Sequence, residues 1–257
     1  MASTDPLRAA LVLPTYNESE NLAALVAAIQ SLPTPIHIIV VDDNSPDGTG
    51  AIADELAAQT SSVEVIHRSG KLGLGTAYAA GFHRAITAGN DLILTMDADF
   101  SHDPQYLPAI LAASKRYDLV IGSRYVPGGG FRDWPWHRQV LSWSANSLAH
   151  LLLGLHARDC TAGFRCYRRP VLEAVDPSAI RANGYSYLIE MLFCCERLGF
   201  TVGEVPIIFA DRRLGRSKIS QNEIFKAGRT VLRLAIRRLS DRGRRMVAFF
   251  ASGQPAR

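Results

Sequence analysis

From Ala9 to about Gly122 the chain alternates between short apolar segments and longer segments with helical periodicity. The apolar segments predict five β-strands, at 9–14, 36–41, 63–67, 91–96 and 119–122. The periodic segments predict three helices between them, at 18–31, 49–59 and 75–88. Alternation of this kind produces right-handed crossovers and a mostly parallel sheet. The sequence therefore predicts an α/β, Rossmann-like fold in which helices flank a central sheet.

The alternation weakens after Gly122, where a helix near 138–155 precedes a segment of mixed character that ends at about residue 210. A final amphipathic helix is predicted from about Gln221 to Asp241. The 257 residues suffice for one α/β domain with a substantial core. We therefore expect one domain over 1–220, followed by a basic amphipathic helix and tail over 221–257.

Charge is distributed unevenly along this chain, whose formal net charge is +4. Residues 211–245 contain 12 Lys and Arg against 3 Asp and Glu, whereas residues 1–210 contain 15 against 21. This contrast indicates an anionic partner for the tail. A nucleic acid would also suit a basic tail, but interleaved aromatic residues and a recognised binding motif are missing there. No nucleic-acid partner is therefore expected.

The cysteines and the hydropathy of the chain indicate its cellular location. The four cysteines show no metal-ligand spacing, and reduced thiols in the cytoplasm are the simplest interpretation. The N-terminus lacks a basic segment followed by a long apolar one, so no signal peptide is expected. Residues 139–157 contain no Lys, Arg, Asp or Glu, but several serines interrupt the apolar residues. This pattern favours an interfacial or core helix over a membrane span.

The apolar run 91–96 ends in two carboxylates, Asp97 and Asp99. If the run is a buried parallel strand, this pair lies at the edge where open α/β sheets bind ligands. Two acids this close repel each other unless a cation lies between them, and oxygen ligands suit Mg²⁺ or Mn²⁺ bridging to a diphosphate. A surface turn is the alternative, because Asp is common at strand ends.

Polar side chains follow the first two predicted strands as well. Tyr16 could stack on a base or ribose, and Glu18 could accept hydrogen bonds from it, although both also suit a helix entry. Asp43 ends the second strand, where related sheets commonly bind a ribose hydroxyl. The segment from Gly73 to Tyr78 resembles half of a dinucleotide fingerprint. It lacks the third glycine and follows the third strand, which argues against a nicotinamide or flavin enzyme.

Cations accumulate later in the sequence. Arg124 and Arg138 could bind phosphate through bidentate hydrogen bonds, and Lys218 could approach a diphosphate from a glycine-containing loop. Each could equally be a solvated surface residue. Asp159 could contact a sugar or act as a base, but it could also simply hold its loop, which is the interpretation we favour.

Several motifs occur in order along residues 8–240. They are LPTYNE, VVDDNSPDGT, MDADFSHDP, GSRYVPGG, DWPWHR, DCTAGFRCYRR, and EVPI followed by DRRLGRSK. Together they resemble family 2 glycosyltransferases of the GT-A fold. Within that family the chain is similar to polyprenol- and dolichol-phosphate mannose synthases, especially the actinobacterial polyprenol monophosphomannose synthases.

This resemblance implies roles for individual residues. It implies a GDP-mannose donor, bound by a set of residues from several motifs: Pro14, Tyr16, Glu18, Val41, Asp43, Asp97, Ala98, Asp99, Arg212 and Lys218. Mg²⁺ or Mn²⁺ would be held by Asp97 and Asp99, together with Ser101 where some relatives place Gln. The phosphate of a polyprenyl phosphate acceptor would be bound by Arg124, Arg138 and Ser142. Four residues would carry catalysis: Asp97, Asp99, Arg124 and Arg138.

By the same resemblance the reaction would invert the anomeric centre and yield polyprenyl-phosphate mannose. The alternative within enzymes is transfer of glucose or an N-acetylhexosamine to the same lipid. A non-catalytic nucleotide-sugar binding protein is a third possibility, but the intact carboxylates and phosphate-binding cations argue against it.

The acceptor's prenyl chain resides in the bilayer, so we expect peripheral attachment to the cytoplasmic membrane face through arginines of the last helix. The predicted apolar stripe of this helix consists of Ile224, Gly228, Val231, Leu232, Ala235 and Leu239. The stripe could equally pack on the core and leave the basic face solvated.

Overall fold

The computed structural model describes residues 7–211 and 226–240. Within these ranges the strands are β1 (Ala9–Thr15), β2 (His37–Asp42), β3 (Val63–His67), β4 (Leu92–Thr95), β5 (Leu119–Ser123), β6 (Gly130–Arg132), β7 (Arg165–Arg168), β8 (Val202–Pro206) and β9 (Ile208–Ala210). The helices are α1 (Leu22–Gln30), α2 (Thr49–Gln59), α3 (Leu74–Thr87), α4 (Leu107–Ala113), α5 (Trp136–Leu153), α6 (Arg169–Val175), α7 (Tyr185–Arg197) and α8 (226–240).

A seven-stranded sheet in the order β3-β2-β1-β4-β7-β5-β8 forms the centre of the fold. Strand β7 runs antiparallel to both neighbours, and the other six strands are parallel to one another. In register, Val12 of β1 pairs with Ile39 of β2 on one side and with Thr95 of β4 on the other. The prediction of a mostly parallel α/β sheet flanked by helices is confirmed.

The central strands are buried on both faces, which explains their continuous apolar sequences. In β1, Ala10 and Val12 point into a core shared with α3, whereas Leu11 and Leu13 point into a core shared with α1. Close packing of α3 on β1 depends on Gly81, since a Cβ there would lie 2.3 Å from the Val12 side chain.

The segment that the sequence left undivided, up to residue 210, contains α6, α7 and three strands. Strand β7 is only four residues long and includes two arginines, so it carries little strand signal. It lies between β4 and β5 in the sheet and pairs with both in the antiparallel direction, after a connection from β5 that contains β6 and α5. Strand β9 pairs with β6 in a separate two-stranded ribbon.

The C-terminal helix is present in the described residues as α8, which packs Val231 and Leu234 into the core. The predicted apolar stripe is therefore wrong in part. Val231 is buried, but Leu232 and Leu239 are 60% and 66% exposed. A helix has several faces, and spacing alone did not show which of them packs into the core. Ile224 lies outside the described residues.

None of the described helices combines the length and apolarity needed to cross a bilayer.

Candidate active site

The parallel strands bring those predicted site residues that lie at or directly after their ends to one edge of the sheet, because all six end there. The strand order reverses at β1, whose neighbours are β2 and β4. Tyr16 follows β1 and Asp97 follows β4, so these two residues flank this switch point. The loop that precedes the antiparallel β7 reaches the same edge, and it carries Asp159. The edge therefore unites motifs that are far apart in sequence.

At the end of β2, two adjacent acids have different surroundings. Asp42 accepts hydrogen bonds from the Thr15 hydroxyl at 3.1 Å and from the Ser45 hydroxyl at 2.5 Å, which joins β1 to the following loop. Asp43 instead lies 2.7 Å from the Arg68 guanidinium. Burial raises the pKa of the Asp43 carboxyl, and Arg68 opposes that shift. Asp42 is thus structural, and Asp43 is the acid that remains a candidate for nucleotide binding.

Three other predicted nucleotide-binding residues lie nearby. Pro14 and Val41 are cross-strand partners in β1 and β2. The Glu18 backbone N–H donates to the Thr49 hydroxyl at 2.9 Å, and its carboxylate accepts from Asn21 at 3.1 Å. Glu18 is therefore held by residues at the N-termini of both α1 and α2.

Two residues of this region were missed by sequence reasoning, Arg68 and Lys71. Both follow β3, and the Lys71 ammonium lies 4.3 Å from the centroid of the Tyr16 ring. Their position after the third strand, at the ligand edge, could have predicted them. The glycines that follow drew the interpretation towards a dinucleotide fingerprint instead. Gly75 belongs to packing rather than phosphate binding, because a Cβ there would lie 2.5 Å from the Tyr187 ring.

After β4 the chain turns sharply through the carboxylate pair. The Asp97 N–H donates to His102 Nδ1 at 3.2 Å, and the Ser101 N–H donates to Asp99 Oδ1 at 3.0 Å. Burial lowers the pKa of His102 to about 4, so its ring is neutral near pH 7 and Nδ1 can accept. Phe164 packs against this ring. The turn is thereby fixed in one conformation.

The donor set at this turn fits a hard divalent cation. Asp97 is 30% exposed and Asp99 is buried. The Ser101 hydroxyl is buried and has no hydrogen-bond partner in the described part of the chain. Oxygen ligands of this kind suit Mg²⁺ or Mn²⁺. Within residues 7–211 and 226–240, no group of three acidic, histidine or cysteine side chains offers a metal site. Two carboxylates and one hydroxyl are thus the candidate ligands, and Ala98 between them is buried.

On the other side of the edge, Arg124 and Asp159 form a buried bidentate ion pair. Arg124 Nε and Nη2 each donate to the carboxylate at 2.7 Å, and the Arg124 backbone N–H donates at 3.1 Å. Asp159 also accepts from the backbone of Thr161 and Ala162. Although burial raises its pKa, Arg124 and these hydrogen bonds lower it overall. An ionised, saturated and fully buried carboxylate is poorly suited to act as a base.

Helix α5 contributes a polar face to this region. Ser142 accepts from the Tyr125 hydroxyl at 2.8 Å, and the Ser142 carbonyl accepts from the Asn146 amide at 2.9 Å. The Asn146 amide also donates to the Thr161 hydroxyl, which accepts from Arg124. Asn146 was missed by sequence reasoning, although its spacing of four residues from Ser142 was available.

Arg138 lies four residues before Ser142 on the same face of α5, half-exposed. Of the three predicted acceptor residues, Arg124 directly follows β5, and Arg138 and Ser142 lie on α5. Rings of Tyr125, Phe131 and Phe209 surround the Arg124 guanidinium within 5.7 Å. Arg212 and Lys218 lie outside the described residues.

A second buried arginine organises the loop before β7. Arg165 is fully buried and donates to the carbonyls of Cys160, Ala162 and Leu188 at 2.8–2.9 Å. Its guanidinium thus holds the loop that carries Asp159. The sequence marked this segment as a motif without revealing the role of this residue.

Comparisons with known proteins identify the family of this chain. Residues 10–176 match the model of Glycosyl transferase family 2. The chain is 48% identical over 242 residues to a polyprenol monophosphomannose synthase of Mycolicibacterium smegmatis. The alignment covers 93% of this chain and 91% of the synthase. This chain is 46% identical over 214 residues to an undecaprenyl-phosphate mannosyltransferase of Micrococcus luteus, covering 83% and 88%.

Among solved structures, a glucosyl-3-phosphoglycerate synthase of Mycobacterium tuberculosis superposes with a TM-score of 0.62, at 20% identity, over 90% of this chain and 80% of that one. A mannosyl-3-phosphoglycerate synthase of Rubrobacter xylanophilus gives 0.66 at 20% identity, over 93% and 75%. These likenesses confirm the GT-A type of fold. Since the family model and both relatives extend over most of the described residues, this chain belongs to glycosyl transferase family 2.

Proposed function

We propose that the protein transfers mannose from GDP-mannose to a polyprenyl phosphate and releases polyprenyl-phosphate mannose and GDP. One observation carries the proposal: a carboxylate pair with a buried hydroxyl and an arginine group suited to a phosphate share one sheet edge. The mannosyl and polyprenyl specificities are supported by the names of relatives 48% and 46% identical to this chain.

The donor nucleotide is assigned to the β1–β2 side of the edge. Asp43 is a hydrogen-bond acceptor for ribose hydroxyls, and the Tyr16 ring offers a stacking surface. Pro14 and Val41 form the wall between them, with Glu18 at its end. Arg212 and Lys218 are assigned to the donor phosphates by resemblance, and both lie beyond the described residues.

Asp97, Asp99 and Ser101 are assigned to a Mg²⁺ or Mn²⁺ ion, with Ala98 holding the backbone between the two carboxylates. When bound, such an ion supplies positive charge that stabilises the GDP leaving group. The Mycobacterium tuberculosis structure described above contains Mn²⁺ and a uridine diphosphate, and a second structure of that enzyme contains Mg²⁺. His102 supports the ligands by accepting the Asp97 N–H.

The acceptor is its own nucleophile in this scheme. A phosphate monoester has a second pKa of about 6, so it is largely dianionic at neutral pH and needs no general base. Its oxygen forms a bond to the anomeric carbon while the bond from that carbon to the GDP oxygen breaks, with no net proton transfer. Displacement from the opposite face converts an α-linked donor into a β-linked product. Arg138 and Ser142, with Arg124, orient the phosphate.

Peripheral attachment to the cytoplasmic membrane face is part of the proposal. The outer side of α5 exposes large apolar residues, including Trp136 at 76%, Trp143 at 60% and Leu151 at 75%. Helix α8 lies beside the end of α5, since Arg238 donates to the Leu152 carbonyl at 3.0 Å. It adds Ile236, which is 57% exposed. Exposed apolar side chains flanked by arginines suit a bilayer surface.

A radiolabelled transfer assay tests the activity. The protein is incubated with a short, water-soluble prenyl phosphate and each of GDP-mannose, UDP-glucose and UDP-N-acetylglucosamine, with Mg²⁺, with Mn²⁺ or with EDTA. We expect transfer from GDP-mannose alone, and loss of it in EDTA. Transfer from either UDP-sugar would replace the donor assignment. Donor hydrolysis without a lipid product in all conditions would contradict the acceptor assignment.

A further inference from the structure

A cavity of about 480 Å³ lies between α6, α7 and α8, apart from the candidate active site. Its volume falls within the range of small-molecule pockets, about 300–1,000 Å³. Three arginines line it, namely Arg181 after α6 and Arg233 and Arg237 on α8. None of the described residues that line it has a role in the reaction proposed above.

The charge of this cavity is positive. Glu190 is the one acid among the described residues that line it, and it is 4% exposed. Its carboxylate accepts from Arg233 Nη2 at 2.7 Å and from the Ala182 N–H at 2.9 Å. Glu190 is thus neutralised by Arg233. Within the described part of the chain, Arg181 and Arg237 have no acidic partner, so two guanidinium groups remain to attract an anion.

The remaining wall of the cavity is apolar. Leu234 is 1% exposed, and Val175 and Ile180 continue this aliphatic surface. Guanidinium groups bind phosphate oxygens in bidentate fashion, and aliphatic side chains suit a carbon skeleton. The cavity therefore favours a phosphate ester with a glycerol or acyl part over inorganic phosphate.

The position of the cavity on α8 suggests where this ester comes from. Leu232 and Ile236 are exposed, and the next residue after each, Arg233 or Arg237, lines the cavity. Consecutive residues of a helix point about 100° apart, so the apolar side and the cavity side of α8 are neighbours. When the apolar side enters a bilayer, as proposed above, the cavity opens at the depth of the lipid headgroups.

We propose that this cavity is a binding site for the phosphodiester headgroup of an anionic phospholipid, with Arg181 and Arg237 as its phosphate ligands. The inference rests on the proposed membrane attachment and specifies it. It assigns the basic helix a defined lipid site in addition to its diffuse attraction to a charged leaflet.

Two substitutions on the same helix separate a site from diffuse attraction. Arg229 belongs to the same basic side of α8 but does not line the cavity, so Arg229→Gln is the matched control. Arg237→Lys keeps the charge and removes the planar fork. Diffuse attraction predicts that Arg229→Gln weakens vesicle binding by about fivefold, corresponding to about 1 kcal/mol, and that Arg237→Lys changes nothing. A defined binding site predicts that Arg237→Lys weakens vesicle binding more than Arg229→Gln does.

Cys194 reports occupancy of the cavity directly. It lines the cavity and is half-buried, whereas Cys160, Cys166 and Cys195 are fully buried. Burial raises the pKa of the Cys194 thiol, so alkylation is followed at about pH 8.5 to obtain enough thiolate. A bound headgroup shields this thiol.

The experiment measures the rate of Cys194 alkylation by iodoacetamide in the full chain. The probes are phosphatidylcholine vesicles with and without phosphatidylglycerol, and glycerol phosphate in solution. We expect phosphatidylglycerol vesicles at ten times their Kd to slow alkylation about tenfold, since about a tenth of the cavities stay open. Arg181→Lys and Arg237→Lys should abolish this protection while Arg229→Gln keeps it.

Several results would overturn the proposal. Equal protection in Arg237→Lys and wild type would show diffuse attraction only. Protection by glycerol phosphate as strong as that by vesicles would assign the cavity to a soluble phosphate ester. Vesicle binding without protection would exclude the cavity, and no vesicle binding would reject the lipid site together with the membrane attachment. Transfer to a short prenyl phosphate, measured in parallel, reports on the proposed activity independently of all these outcomes.

Discussion

The two halves of the candidate site use carboxylates in opposite ways. At the donor half, formed by residues that follow β1, β2, β3 and β4, Asp97 is 30% exposed, and the buried hydroxyl of Ser101 has no hydrogen-bond partner among the described residues. At the acceptor half, formed around β5, α5 and the loop before β7, Asp159 is fully buried and bound to Arg124 on both oxygens. One half presents acids to a ligand, and the other uses an acid to position a cation.

The role of an acidic residue at the sheet edge therefore depends on its hydrogen-bond partners and not on residue type alone. Asp42 and Asp43 repeat the contrast within one dipeptide, because hydrogen bonds from Thr15 and Ser45 occupy Asp42. An acid with all its hydrogen bonds made by the protein stabilises the fold. Asp97, which is 30% exposed, remains accessible to a ligand, and this accessibility makes it a candidate for the reaction.

The largest expected effect comes from removing the carboxylate pair. Asp97→Ala and Asp99→Ala should each lower metal-dependent transfer by about 10³-fold, since stabilisation of the leaving group is lost. The free energy of unfolding should fall by only about 1 kcal/mol, because the lost hydrogen bond from the Ser101 N–H to Asp99 is partly offset by removal of one of two like charges. Mn²⁺ binding followed by electron paramagnetic resonance should weaken in parallel. Asp54→Ala, an exposed acid on α2, is the control, and near-normal transfer by Asp99→Ala in EDTA would refute the assignment.

For Asp159→Asn we expect a large loss of stability and a smaller direct effect on the chemical step. Removing one charge of a buried ion pair typically costs about 3–5 kcal/mol, because Arg124 is left buried and uncompensated. Urea denaturation should show this loss. Transfer should fall mainly through a higher KM for the polyprenyl phosphate as Arg124 moves. If the variant is as stable as wild type but loses activity by many orders of magnitude, Asp159 is a base after all.

The pH dependence sharpens this test. The pKa of Asp159 in the folded protein is lowered from the usual 3.8, so the unfolded state binds the proton more readily. Its contribution to stability is complete above about pH 4 and is lost as the pH falls towards the lowered value. Wild type should therefore lose stability below pH 4 more steeply than Asp159→Asn. Equal acid profiles would show that this carboxylate does not contribute.

A smaller effect is expected for Arg138→Ala. A hydrogen bond to a charged group contributes about 1.5–3 kcal/mol, so the acceptor KM should rise by about 10- to 100-fold. Calorimetry should show donor binding within about twofold of wild type, since Arg138 belongs to the acceptor half. Arg116→Ala is the matched control, because this arginine precedes β5 at the opposite edge. A marked loss of GDP-mannose affinity would move Arg138 to the donor half.

The smallest effect is expected for Lys71→Ala. A cation–π contact that is not fully desolvated contributes about 0.5–1 kcal/mol, so the KM for the nucleotide sugar should rise by about two- to fivefold. The acceptor KM should stay constant. Lys115→Ala, before β5 at the opposite edge, serves as the control. A change confined to the acceptor KM would contradict the division into halves.

The sequence predicted the parts of the fold that local patterns encode. Strands β1 to β5 were found because buried parallel strands read as apolar runs, and two predicted elements, α2 and β3, coincide with those observed. Strand β7 was missed because its four residues owe their strand conformation to β4 and β5 on either side. The same holds for Arg165, whose partners are carbonyls of its loop and of α7.

Patterns in the sequence were enough to predict that the acids after β2 and β4, among them Asp43, Asp97 and Asp99, lie at one edge of the sheet. Apolar periodicity specifies parallel strands, and parallel strands end together. The tertiary structure was needed to show which acids are already paired within the protein. Asp159 pairs with Arg124, 35 residues away in sequence, and Asp42 accepts a hydrogen bond from Thr15, 27 residues away. Ion pairs and hydrogen bonds of that range depend on where the backbone places both partners, and no local spacing in the chain records it.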